Sequence, residues 1–207
     1  MSKSYKLPLK AATSEFTEKK SRFISNVSPV SSEDEALSFL RSIRDKYKDA
    51  NHNVYAYRIY GNNITRYNDD GEPSGTAGMP LLDVFVKQDI YDFCCVATRY
   101  FGGIHLGAGG LVRAYSRCGA LAIETSGVGI MRELLVCSVL VPYSLYEGLK
   151  RMLLENGVRI EDEDFGAEVV IGFVLPVEEA ASLKCKITEL TAGTVEVKEK
   201  ETIMSVW

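Results

Sequence analysis

Phe93-Cys-Cys-Val-Ala-Thr-Arg-Tyr100 leads into Phe101-Gly-Gly-Ile-His-Leu-Gly-Ala-Gly-Gly110 and then into Leu111-Val-Arg-Ala-Tyr-Ser-Arg-Cys-Gly-Ala-Leu-Ala122. The first part is a dense β-type run, the pattern of a central strand. The second is too rich in glycine to be regular. In the third, Leu111, Ala114, Tyr115, Cys118, Leu121 and Ala122 recur at i, i+3, i+4, i+7 spacing. That predicts a helix of roughly four turns beginning right after Gly110. A strand, a glycine loop and a helix in this order bring unpaired backbone N–H groups and the positive end of a helix dipole to one point.

Working back toward the N-terminus from this unit, 69–78 is a second loop of turn residues, Asp-Asp-Gly-Glu-Pro-Ser-Gly-Thr-Ala-Gly. It feeds a short helix that tolerates Pro80 near its first turn. Residues 52–60 and 64–67 read as a β-hairpin across Gly61-Asn62-Asn63. Before it, Ala36, Leu37, Leu40, Ile43 and Tyr47 form an apolar stripe at helical period, and Ser32 with Glu35 has capping-box spacing. Residues 15–30 hold one or two strands, with an exit at Pro29, after a polar start.

Past Gly127 and Gly129 the texture changes. Strand 133–141, helix 143–155, strands 158–163 and 168–175, helix 177–190 and strand 194–206 compose a βαββαβ order. Asn156-Gly157 closes the first of these helices and Pro176 opens the second. The expected fold is α+β in two domains, 1–130 and 131–207, the second ferredoxin-like.

The 207 residues are 46% apolar and 25% charged, the balance of a globular protein. No stretch approaches the roughly twenty apolar residues that span a bilayer, and no apolar run near the start suits a signal peptide. A cytoplasmic location without a membrane partner is expected. Cys94, Cys95, Cys118, Cys137 and Cys185 are odd in number and lack C-x-x-C spacing, against both a disulfide framework and a zinc site; buried thiols are the expectation. The net charge of −4 hides an asymmetry: 1–130 holds 16 basic against 14 acidic side chains, net +2, and 131–207 holds 8 against 14, net −6. A polyanion should prefer the first part.

The residues placed to hold an anion are Arg99, Gly102, Gly103, His105, Gly107, Gly109, Gly110 and Arg113. Missing side chains let a phosphate approach the backbone, and a cation at Arg113, in the first helical turn, opposes the dipole unless an anion lies between them. The other reading stays open: the glycines only permit tight turns, and the arginines pair with acids of the protein itself. Asp69, Asp70 and Glu72, with Ser74 and Thr76, are either those internal partners or a Mg²⁺ site. Internal pairing is preferred because calcium-loop spacing is missing; no resident metal is expected, and Mg²⁺ is the one cofactor left open. No Gly-Lys-Ser/Thr follows, so this is not a Walker loop. A Cys118/His105 nucleophile pair is disfavoured because Cys118 lies on the apolar stripe. Ser116 and Ser144 lack a Gly-x-Ser-x-Gly context.

Asp69-Asp-Gly-Glu-Pro-Ser-Gly-Thr-Ala-Gly78 and Thr98-Arg-Tyr-Phe-Gly-Gly-Ile-His-Leu-Gly-Ala-Gly-Gly-Leu-Val-Arg-Ala-Tyr115 closely resemble the signature of the IMPACT/YigZ family. The resemblance extends through Lys20-Ser-Arg-Phe-Ile24, residues 52–58 and the βαββαβ tail, nearly the whole chain. It implies an N-terminal domain resembling elongation factor G domain IV, a ribosomal-protein-like βα fold, and a C-terminal domain resembling its domain V. It points toward RNA and translation. Eukaryotic relatives regulate translation by competing for the co-activator of the amino-acid-starvation kinase. They carry an extra N-terminal interaction domain for which 207 residues leave no room, so a bacterial-type member is expected.

The resulting expectation is a non-enzymatic, translation-associated regulator that binds RNA or the ribosome through the Gly/Arg loop. Two alternatives stay beside it: a Mg²⁺-dependent enzyme acting on a small phosphorylated substrate, and a protein-interaction module whose acidic second domain binds a basic regulatory partner.

Overall fold

The computed structural model describes residues 4–207. It is α+β, as expected, and divides into two compact units, Tyr5–Ile130 and Met131–Trp207. In the first, β1 (Tyr5–Pro8) is followed by β2 (Ala12–Glu18), β3 (Ser21–Pro29), α1 (Glu33–Lys46), β4 (His52–Ile59), β5 (Ile64–Asn68), α2 (Gly78–Lys87), β6 (Phe93–Tyr100) and α3 (Ala108–Ser126). The sheet runs β2-β3-β6-β4-β5 with every pairing antiparallel.

The β6 strand is central, and its period of two decides what it touches. Phe93, Cys95 and Ala97 join Leu81 and Phe85 of α2 and Leu111, Tyr115 and Cys118 of α3 in one core. Cys94 and Val96 face Ala36, Leu40 and Ile43 of α1 in another. Covered on both faces, β6 is buried from Phe93 to Arg99, which is why its sequence runs apolar instead of alternating. The same period turns Arg99 toward the face that carries Phe93, Cys95 and Ala97.

Local departures from the sequence expectation have plain causes. The α3 helix starts at Ala108, three residues early, because Gly107 at φ 74° ends the loop and Gly109 and Gly110 are already helical. Ser32 Oγ accepts from Glu35 N at 3.3 Å, but the returning carboxylate takes the Ser31 amide at 2.7 Å, one residue before the amide a capping box uses. The polar start holds β1, which bridges to Ile90 through Lys6. Four of the cysteines are buried and Cys185 is exposed.

The second unit contains most of β7 (Val128–Val141), then α4 (Tyr143–Glu155), β8 (Arg159–Phe165), β9 (Val169–Pro176), α5 (Ala180–Leu190) and β10 (Val197–Val206). Its strands lie in the order β10-β7-β9-β8, all antiparallel, which is the split-βαβ arrangement of a ferredoxin-like sheet. Tyr146, Leu149 and Leu153 of α4 and Leu183 and Ile187 of α5 pack on Val139, Ile171 and Phe173. Gly157 at φ 72° terminates α4. After Pro176 a 3-10 turn, Val177–Glu179, precedes α5. No helix among the described residues is long and apolar enough to cross a membrane.

Candidate functional site

The loop ahead of α2 is held by its own acids. Asp69 Oδ1 accepts from the amides of Ala77 and Gly78 at 3.1 and 2.7 Å, and Oδ2 accepts from Gly75 N at 2.9 Å. A carboxylate is therefore seated on the N-terminus of α2, where the dipole favours it. Asp70 accepts from Arg44 Nη2 at 3.0 Å and from Asn53 N at 2.6 Å. Thr76 Oγ1 donates to the Pro73 carbonyl at 2.6 Å, and Ser74 is exposed. No group of three or more metal-capable side chains forms among the described residues.

Glu72 turns inward. Its Oε1 accepts from Arg99 Nη1 at 2.6 Å and from the Tyr115 hydroxyl at 2.7 Å, with the side chains of Glu72 and Arg99 only 3% and 6% exposed. Burial, and then the Glu72 carboxylate, push the Tyr115 phenol well above its usual range, so it remains a donor. The other guanidinium nitrogen of Arg99 reaches Ser21 Oγ at 3.4 Å, and its Nε is buried without a partner. His52 pairs with Arg99 in register across β4 and β6, and its Nε2 lies 3.9 Å from Glu72 Oε1. His52 Nδ1 sits 2.8 Å from the Asp70 carbonyl, which can only accept. That bond puts the proton on Nδ1 and leaves Nε2 as the other functional nitrogen.

These groups line a cleft of about 430 Å³, whose walls include His52, Glu72, Arg99, Phe101, His105 and Ala108. The last of these is the first residue of α3. Gly107, its N-cap, has no side chain to offer, the first turn of α3 contains no acid, and no described group accepts from the amides of Ala108, Gly109 or Gly110. Of the other loop glycines, Gly102 is fixed by close approach: a Cβ there would lie 2.0 Å from the Lys20 backbone. Gly103 turns the chain at φ 82°.

Arg99 and Arg113 are not brought together. Because α3 starts at Ala108, Arg113 lies in its second turn and not in the first as expected; it is exposed, with Nη1 folded back over Gly109. It lines a separate recess of about 180 Å³ with Lys19, Glu18, Phe16, Gly110 and Arg117. Arg117 stacks on Phe16, 4.3 Å from the ring centre. Among the described residues none of Lys19, Arg113 and Arg117 forms an ion pair. Cys118 is fully buried with its thiol pushed far up by burial, so it supplies no nucleophile beside the exposed His105.

Sequence reasoning did not single out His52, Tyr115, Lys19 or Arg117 as site residues. Tyr115 was legible only as one member of an apolar stripe. The place of His52 depends on its register opposite Arg99, which no local motif encodes. Arg117 follows Arg113 by one helical turn, a spacing that could have flagged a shared face.

The Impact N-terminal domain family matches residues 19–123, and a domain of unknown function, DUF1949, matches residues 139–194. The chain is 37% identical over 199 residues to the IMPACT family member YvyE of Bacillus subtilis, covering 96% of this chain and 92% of that protein. It is 29% identical over 182 residues to the IMPACT family member YigZ of Escherichia coli, covering 86% and 89%. A solved structure, described only as a crystal structure of an hypothetical protein, aligns over 96% of this chain and 98% of its own at a TM-score of 0.60 and 29% identity.

Proposed function

The chain belongs to the IMPACT family, and from that premise we propose that it is a translation-associated regulatory protein that binds RNA, on the ribosome, through the face around Arg113. The observation that carries the reading is the recess of Lys19, Arg113 and Arg117, three cations without carboxylate partners among the described residues, beside a helix N-terminus that no side chain caps. Phosphate is the ligand such a face suits, through charge-assisted hydrogen bonds and the helix dipole. Arg113 and the backbone of 107–110 meet the phosphate, while Arg99 stays with Glu72 as the strut beneath. The net charge of +2 on residues 1–130 against −6 on 131–207 favours the same side. The role of eukaryotic relatives in translation, and the likeness to elongation factor G domains IV and V implied by the family signature, belong to this reading, as does a cytoplasmic location.

The test is co-sedimentation with ribosomes on sucrose gradients at two salt concentrations. Wild type should travel with ribosomal particles, and Arg113→Ala/Arg117→Ala should release it, with the salt slope of binding reduced by about one unit per lost phosphate contact. Wild type staying at the top of the gradient, or an unaffected double variant, contradicts the proposal.

A further inference from the structure

The cleft beside Glu72 is a different cavity from the Arg113 recess, and it contains groups that the protein leaves unfinished. Glu72 is almost wholly buried, yet its Oε2 takes no hydrogen bond from any described residue; both oxygens of Asp69 and of Asp70 are used. That oxygen is not sealed in by protein: Glu72 lines the cleft, where water or the donor of a ligand can reach it. His52 Nε2 stands next to this carboxylate, and in the neutral ring whose Nδ1–H is committed to Asp70 it is also an acceptor. Two adjacent acceptors match two adjacent hydroxyls. At another wall Ala108 opens α3, a helix of 19 residues whose first amides lack acceptors, so that wall suits a phosphate. Phe101, 41% exposed and 5.2 Å from the His105 ring, adds a flat apolar face. The volume of about 430 Å³ falls in the range of small-ligand sites.

We propose that this cleft binds a ribonucleotide unit carrying a 5′-phosphate and a ribose cis-diol: the phosphate on the N-terminus of α3, the two hydroxyls on Glu72 Oε2 and His52 Nε2, and the base against Phe101. The combination is selective. Inorganic phosphate meets the helix but leaves Glu72 without a donor, and a nucleoside satisfies Glu72 but leaves the helix end open. The chemistry is shared by a mononucleotide in solution and by the 3′ end of an RNA chain, which presents the same terminal diol. The two sites share the N-terminus of α3 and differ in everything else: the cations of the RNA face line the Arg113 recess, the diol contacts line the Glu72 cleft, so Arg113→Ala/Arg117→Ala tests the first and Glu72→Gln the second.

The experiment is isothermal titration of the full chain with adenosine 5′-monophosphate, its 2′-deoxy analogue, adenosine and inorganic phosphate. A short oligoribonucleotide ending in a 3′-hydroxyl and the same oligonucleotide ending in a 3′-phosphate form the second arm. The ribonucleotide should bind saturably, and each of the three truncated ligands should bind weaker by on the order of tenfold, the loss of one good hydrogen-bonding group or more. Ala108→Asp, at an exposed position, should remove binding by putting a carboxylate where the phosphate sits; Glu72→Gln should erase the preference for ribose over deoxyribose. Binding of the mononucleotide alone assigns the site to small nucleotides, and equal binding of the 3′-hydroxyl oligonucleotide with rejection of its 3′-phosphate assigns it to RNA ends. No saturable heat with either class, equal affinity for the deoxy analogue, or an Ala108→Asp variant that is folded and still binds overturns the proposal.

Discussion

Two helices in the first unit follow glycine-bearing loops, and their N-termini are treated in opposite ways. At α2 the protein supplies its own anion: Asp69 accepts from Ala77 and Gly78, and the loop is closed by internal hydrogen bonds. At α3 it supplies none, although that helix is the longer of the two and its cap is a glycine. The same local chemistry, glycine followed by helix, thus serves structure in one place and leaves an open electropositive end in the other. A glycine loop does not by itself mark a binding site; what matters is whether a side chain of the protein already occupies the helix end.

The largest expected effect breaks the support beneath both loops. Glu72→Ala strands the Arg99 guanidinium among buried neighbours and removes the acceptor of Tyr115, and should cost about 3–5 kcal/mol of unfolding free energy, measured by urea denaturation. A loss below about 1 kcal/mol would mean that the pair is hydrated and not the strut described here. Asp69→Ala comes next. It returns α2 to the uncapped condition of α3 and should lower stability by roughly 1–2 kcal/mol in the same assay, while ribosome co-sedimentation stays as in wild type. The smallest effect runs the other way: Ala108→Asp gives α3 the anion it lacks and should raise stability by about 0.3–1 kcal/mol at low salt, the gain shrinking as salt is added. Destabilisation by that variant would remove the contrast between the two helix ends.

How far these features could be read beforehand depends on how local their causes are. The order of β6, glycine segment and α3 was legible because strand and helix periods and the glycines are all written within one stretch. The start of α3 was not, since Gly109 and Gly110 read as loop and only the backbone at Gly107 shows that the helix has already begun. The Asp69 cap escaped detection because it lies eight residues before Ala77, outside any capping-box spacing. Internal pairing between the acidic loop and an arginine was one of two readings on residue type alone. Which arginine takes Glu72 follows from the sheet: the period of β6 turns Arg99 inward, whereas Arg113 sits on the solvent face of α3. His52 enters the site only through a cross-strand partner 47 positions away in sequence numbering, Arg99. Long-range register of this kind leaves no trace in a single sequence.

The most direct test of the contrast is amide-resolved NMR of the wild-type chain under titration with inorganic phosphate. The amides of Ala108, Gly109 and Gly110 should shift together and saturably, while those of Ala77 and Gly78, already bonded to Asp69, should stay in place. Equal shifts at both helix ends, or no movement at 108–110, would contradict the claim that α3 presents the open anion site of this molecule.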